Sequence, residues 1–213
     1  MKKLSFIFLI AAIFFVGQLS YADCILNSTE FYESYIGVPE VSAAAQNKYK
    51  FSESQKEYLV NDTVPFDKKI ALVNAFSWDH EGDYFGEFLS FLKERFPKAK
   101  YNIPANQELS DEEFYKYATA EELVLLAYLK AMDDFNEEEV TLDLVERALK
   151  KDHPNSQSFW LPVTLIQTHI MDFNDQANEI YPTIEKQLLL APIHDMKYQA
   201  MDTVMDYLYY FKR

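Results

Sequence analysis

Glycine is scarce in this chain, with four among 213 residues. Tight hairpin turns need backbone conformations of positive φ, which glycine adopts at least cost, so the scarcity argues against strand-rich folds and for helices. Cysteine is scarcer still: Cys24 stands alone. With no second thiol there is no intramolecular disulfide, and the fold must be held by its core. Nothing near Cys24 lowers its pKa, which makes it a poor nucleophile; a mixed disulfide with a partner is its other role. Positive charge is also in short supply. Twenty Lys and Arg face 34 Asp and Glu, a formal net charge of −14. Such a surface repels phosphate backbones and disfavours nucleic acid. It would attract a basic protein partner, or serve solubility alone.

Long apolar runs are missing apart from one. Leu4 to Val16 is broken only by Ser5, follows Lys2 and Lys3, and leads to Ser20-Tyr21-Ala22, with small residues at −3 and −1. This pattern is that of a secretory signal peptide over residues 1–22, cut near Ala22. About 18 apolar residues are needed to span a bilayer, so the run reads poorly as an anchor. Asp23 before Cys24 is wrong for a lipobox. The mature chain is therefore expected to be exported, periplasmic or secreted, with no membrane contact. Losing Lys2 and Lys3 and no acid moves its net charge from −14 to −16. The two-lysine start reads as bacterial, so the sequons at Asn27 and Asn61 are discounted.

A hydrophobic content of 49%, with 17 Phe and 15 Tyr, is enough for a packed core. Residues 23–62 form a mixed N-terminal helical and loop segment. Asn27-Ser28-Thr29 can cap a short helix to Tyr35, ended by Gly37 and Pro39; residues 41–50 carry little signal and read as a loop. Ser52 caps a helix to Leu59. From residue 63 a helical domain begins, with Thr63 as cap and Pro65 in the first turn. Ile70, Val73, Ala75, Phe76 and Trp78 give it an apolar face. Phe85, Phe88, Leu89, Leu92 and Phe96 recur at helical spacing and Pro97 ends that helix. Residues 98–118 form an insertion: a loop, then a short helix opened by a capping box of Ser110 and Glu113.

From Thr119 onward the chain repeats itself. Asp134-Phe135-Asn136 returns as Asp172-Phe173-Asn174, and Pro154 returns as Pro192. In register, the columns are Leu125, Val163 and Met201; Tyr128, Ile166 and Val204; Met132, Ile170 and Leu208; Phe135, Phe173 and Phe211. Their spacing of 3, 4 and 3 places them on one helix face. Partner helices lie between. Residues 137–151 are expected to bury Val140, Leu144, Val145 and Ala148. Residues 175–190 are expected to bury Ala177, Ile180, Ile184 and Leu188, with a kink or late start at Pro182. Asn136 and Asn174 fall at their N-caps. The fold class is therefore all-α, antiparallel helix pairs stacked as a short α-solenoid over residues 63–213.

These pairs resemble tetratricopeptide repeats. The Asp-aromatic turn, the alanine-bearing second helix and the closing Lys150-Lys151-Asp152-His153-Pro154-Asn155 are similar to that family, and Gly82-Asp83-Tyr84 to Phe96-Pro97 looks like a divergent further copy. The chain departs from the family in its 38-residue offset against about 34. Ala127, Leu165 and Thr203 replace the small glycine of the first helix, and the insertion interrupts the array. The resemblance implies a curved scaffold with a groove for a protein or peptide, and no catalytic residue.

Chemistry-bearing motifs are lacking. There is no HExxH, no GxSxG and no glycine-rich phosphate loop. Among the four histidines, His80 with Asp79 and Asp83 is the nearest to a metal cluster, though a polar helix connection fits it better. His169 flanks the repeated stripe, and His153 and His194 sit in proline turns. Glu121-Glu122, Asp133-Asp134 and Glu137-Glu138-Glu139 could pair for glycoside hydrolysis or form solvated helix faces. No catalytic residue, cofactor or metal is assigned. The candidate partner surface is aromatic: Tyr198, Tyr207, Tyr209 and Tyr210 in the last helix, and Trp160. Tyr207 to Phe211 is too continuous for one buried stripe, so either part of it is exposed for docking or the N-terminal segment folds over it. The preferred reading is an exported bacterial helical-repeat protein that binds another protein, such as a periplasmic immunity or inhibitor protein facing a basic partner. The alternatives are an exported hydrolase of cell-wall or glycan material, and a structural helical domain without a dedicated ligand.

Overall fold

A computed structural model describes residues 25–47, 50–76, 82–134, 138–174, 176–209 and 212. The expected signal segment, Cys24, Trp78-Asp79-His80, Phe135-Asn136, Tyr210 and Phe211 lie outside these residues. Among the described residues the fold is all-α. The helices are α1 (Ile25–Ser28), α2 (Pro39–Gln46), α3 (Glu53–Val60), α4 (Phe66–Phe76), α5 (Tyr84–Arg95), α6 (Asp111–Tyr117), α7 (Ala120–Asp133), α8 (Glu138–Leu149), α9 (Gln157–Phe173), α10 (Ala177–Ile184) and α11 (Tyr198–Leu208). 3-10 turns occupy Phe31–Tyr35 and Lys98–Tyr101, and α10 runs on as a π turn over Glu185–Leu189.

Local signals set most helix starts. Ser52 with Gln55, Ser110 with Glu113 and Thr119 with Glu122 each form a full capping box at the start of α3, α6 and α7, satisfying two otherwise orphan backbone donors apiece. Asp83 caps α5 by accepting the Gly86 N–H at 2.9 Å. Four expectations need correction. Residues 41–50 are not simply loop: Pro39, following the extended Val38, occupies the first turn of α2, where its missing N–H costs no helical bond, and Val41 and Ala44 are buried. The stretch through Tyr35 is no single helix but the four-residue α1 and a 3-10 turn. Thr63 does not cap α4; its N–H and hydroxyl both go to Asn61 Oδ1, and the first helical bond closes on the Pro65 carbonyl. Asn174 ends α9 instead of starting α10, its Nδ2 donating back to the Ile170 carbonyl at 3.0 Å.

The repeated columns are inside. Leu125, Val163, Met201, Tyr128, Ile166, Val204, Met132 and Leu208 are buried, and Ile170 packs at the core edge. α8 turns Thr141, Leu144, Val145 and Ala148 inward. Val140 is 40% exposed, contrary to expectation; it lies about 90° from the centre of that stripe at helical spacing. α10 buries Ile180 and Ile184, and the π turn buries Leu188. Pro182 removes one helical donor, and three residues later the helix widens.

Packing proceeds by neighbours and then through one insertion. α7 lies along α8, α9 along α10, and α5 against α7. The N-terminal segment enters among them: α1 packs on α9 and α11, and the 31–35 turn packs on α4 and α11. Its Ile25, Leu26, Phe31 and Tyr35 are fully buried. A polar network pins it there. The Tyr32 N–H donates to Asn74 Oδ1 at 3.0 Å, and Asn74 Nδ2 donates to the Tyr128 hydroxyl oxygen at 3.1 Å. A buried amide is stable only with such partners.

Candidate functional site

The C-terminal layer begins where the π turn ends, with the Leu190 N–H on the Glu185 carbonyl. Residues 191–197 then form a strap that returns to the body. The Gln157 N–H donates to the Ile193 carbonyl at 2.9 Å. Asp195 accepts the Ser158 N–H at 2.8 Å and the Ser158 hydroxyl at 2.5 Å, so it caps the first turn of α9 from outside. Next in sequence, the Lys197 N–H donates to the Tyr35 hydroxyl oxygen at 3.0 Å. The Lys197 ammonium donates to the Ser34 carbonyl at 2.7 Å and lies over the Tyr35 ring. Tyr35 also bonds Asp67 at the start of α4. Burial pushes the Tyr35 phenol well above its ordinary pKa, and burial likewise raises Asp67 although the Tyr35 bond lowers it. The strap thus joins α9, α4 and the N-terminal segment, and it fixes where α11 starts.

α11 is two-sided. Ala200, Met201, Val204, Met205 and Leu208 face inward. Asp202, Asp206, Tyr198 and Tyr209 face solvent, with Tyr198 74% and Tyr209 48% exposed. Of the seven large hydrophobic residues exposed among the described residues, five fall within 189–209: Leu189, Leu190, Ile193, Tyr198 and Tyr209. Single exposed apolar residues are ordinary, and a concentration in one stretch is not.

The expected aromatic surface is therefore dispersed. Tyr198 and Tyr209 lie on the outer side of α11. Tyr209 stands 6.0 Å from Tyr181, and the Lys212 ammonium sits over both rings, 4.9 Å from Tyr181 and 5.6 Å from Tyr209. Tyr207 is half-buried against the core, and Tyr210 is outside the described residues. Trp160 belongs to another cluster, at the start of α9. It is partly buried, its Nε1 donates to Asn155 Oδ1 at 2.7 Å, and it meets His153 edge-on, while His153 stacks on Phe159. Leu190 and Ile193 escaped the sequence reading. The signal available was the run Leu188-Leu189-Leu190, since three successive residues cannot share one helix face.

Several of the acids raised by the sequence have identifiable partners. Glu122 caps α7. Glu121 faces Lys69, and burial raises the pKa of the acid and lowers that of the lysine. Asp133 reaches the start of α5, accepting the Tyr84 and Phe85 N–H groups at 3.1 and 2.7 Å; burial still raises its pKa, to about 6. Burial lowers the pKa of His169, which stands nearest Glu138 and Asp172. Among the described residues no group of three or more His, Cys, Asp or Glu is placed to hold a metal ion. No helix among them is long and apolar enough to cross a membrane. What this arrangement offers chemically is an apolar and acidic surface on α11 and its strap. Comparison with protein families, with curated proteins and with solved structures finds no match for this chain.

Proposed function

We propose that this chain is an exported bacterial helical-repeat protein that binds another protein, in the manner of a periplasmic immunity or inhibitor protein. Its contact surface is the C-terminal layer. The observation that carries this reading is the concentration of exposed Leu190, Ile193, Tyr198 and Tyr209 in one stretch of an otherwise well-covered body. Aromatic and aliphatic side chains left in water beside acids are the composition of an interface core with a polar rim. In this reading α7–α8 and α9–α10 are successive helix pairs of a tetratricopeptide-like array and α11 opens a third. The shared buried columns and the pairwise packing of those helices support it. Export rests on Lys2-Lys3, the apolar run and Ser20-Tyr21-Ala22.

The test places a photo-crosslinking amino acid at position 190 of the chain expressed with its leader, with recovery from the periplasm. One identified protein, captured saturably and lost on Ile193→Asp, is the expected result. Crosslinks that neither saturate nor respond to Ile193→Asp would sink the proposal. N-terminal sequencing of the recovered protein should begin at Asp23.

A further inference from the structure

We infer that the outer face of α11 docks a basic segment of the partner, with lysine or arginine side chains lying along Tyr198, Asp202, Asp206 and Tyr209. This rests on the reading that the C-terminal layer binds a protein. The four residues follow one another at spacings of 4, 4 and 3, within about 80° of the helix surface, and they run over about 16 Å at the helical rise. Their alternation is specific. Two carboxylates stand between two exposed phenol rings, and neither Asp202 nor Asp206 has a hydrogen bond or ion pair among the described residues. Some acids elsewhere on the surface are paired within the chain. Glu57 pairs with Arg95, Glu87 with Lys56, Asp111 with Lys93, and Glu112 and Asp143 with Arg147. Those bases are engaged with those acids, and none of them reaches the α11 stripe.

The molecule also shows what chemistry these rings accept. At one end of the stripe an ammonium, that of Lys212, already lies over Tyr209 and Tyr181. At the strap, Lys197 lies 4.7 Å from the centre of the Tyr35 ring. Tyrosine faces attract cations through the ring quadrupole, and a carboxylate one turn away holds the same cation in place. A chain of formal net charge −14 speeds the encounter with a basic segment at low salt. An acidic or purely apolar partner segment would leave both aspartates facing it without compensation.

The experiment titrates the chain lacking residues 1–22 by calorimetry with a synthetic 14-residue alanine peptide carrying a lysine or arginine at every fourth position. The glutamate version of the peptide serves as comparison. Saturable one-to-one binding of the basic peptide is expected, with none of the acidic one. Asp202→Asn with Asp206→Asn should weaken it about five- to tenfold, and Tyr198→Ala about two- to fivefold. Glu94→Gln with Glu108→Gln removes equal charge from exposed positions elsewhere and should change it less than about twofold. Equal loss in both double variants, or no binding at low salt, would overturn the assignment. Capture through position 190 separates the two levels. A partner still captured when the peptide fails removes only the basic segment, and loss of both removes the protein-binding reading as well.

Discussion

α4 and α11 are both eleven-residue helices, and they have opposite fates. In α4 every residue except Lys68 is buried, including Asp67, Lys69 and Asn74, because the 31–35 turn, α2, α3, α7 and α9 all pack on it. In α11 five residues are buried and the outer side stays in water. α4 satisfies its polar groups internally, through Asn74 and the Tyr35–Asp67 bond. α11 leaves two carboxylates and two phenols facing outward. The difference lies in neighbours more than in hydrophobicity: α4 sits where several layers converge, and α11 is packed from one side. A helix packed all round secures the fold, and a helix packed on one side has a face to offer.

The N-terminal segment joins these two regions, so it is the place to break the comparison. Phe31→Ala removes a fully buried ring between α4 and α11, and urea unfolding should show a loss of about 3–5 kcal/mol. A loss under about 1 kcal/mol would mean that the segment does not bind the two regions together. Asn74→Ala leaves the Tyr32 N–H and the Tyr128 hydroxyl without their shared partner and should cost about 1–3 kcal/mol. Combined with Tyr128→Phe, the two losses should be less than additive, because one network is being removed twice.

Asp133 sharpens the contrast through pH. Its folded pKa of about 6 lies above the ordinary 3.8, so the folded state keeps its proton where the unfolded state has released it. The associated stability is full below pH 3.8 and is lost as pH rises through 6. The shift corresponds to about 3 kcal/mol, which solvent screening of the partly exposed carboxyl reduces to on the order of 1–2 kcal/mol. Carbon NMR of the carboxyl should place its midpoint near 6, and a midpoint below 4.5 would contradict the burial argument. The smallest effect belongs to the outer layer. Leu190→Asp, at a site 71% exposed, should change unfolding free energy by less than about 0.5 kcal/mol while abolishing capture of the partner through a photo-crosslinker moved to position 198. A variant destabilised by more than about 1 kcal/mol would show that Leu190 serves the fold and not a contact.

The Ser52 cap, the capping box of Ser110 and Glu113, the start of the repeats at Thr119, the repeated buried columns and the proline stops were legible in the sequence, because each is decided within a few residues. The errors share one cause. Val140 was misplaced because the edge of an apolar stripe is set by what packs beside it. Residues 39–46 were undervalued because an alanine-rich helix shows little pattern until α4 covers Val41 and Ala44. The strap was invisible, since Tyr35 and Lys197 stand 162 residues apart and no local signal links them. The sequence posed two fates for the C-terminal helix, exposure or cover by the N-terminal segment. The N-terminal segment packs on α11 from its apolar side, while Tyr209 stays exposed and Tyr207 is half-buried.

By itself the sequence determined the helical class, the starts of α3, α6 and α7 and the inward stripe of the repeated segments, since propensity, capping and 3.6-residue periodicity act locally. Only the tertiary structure decided that the N-terminal segment lies among α4, α9 and α11, that Asp195 and Lys197 strap the last helix down, and that Tyr198, Asp202, Asp206 and Tyr209 remain outside. Those outcomes depend on which faces meet across more than a hundred residues, and burial is a property of the meeting.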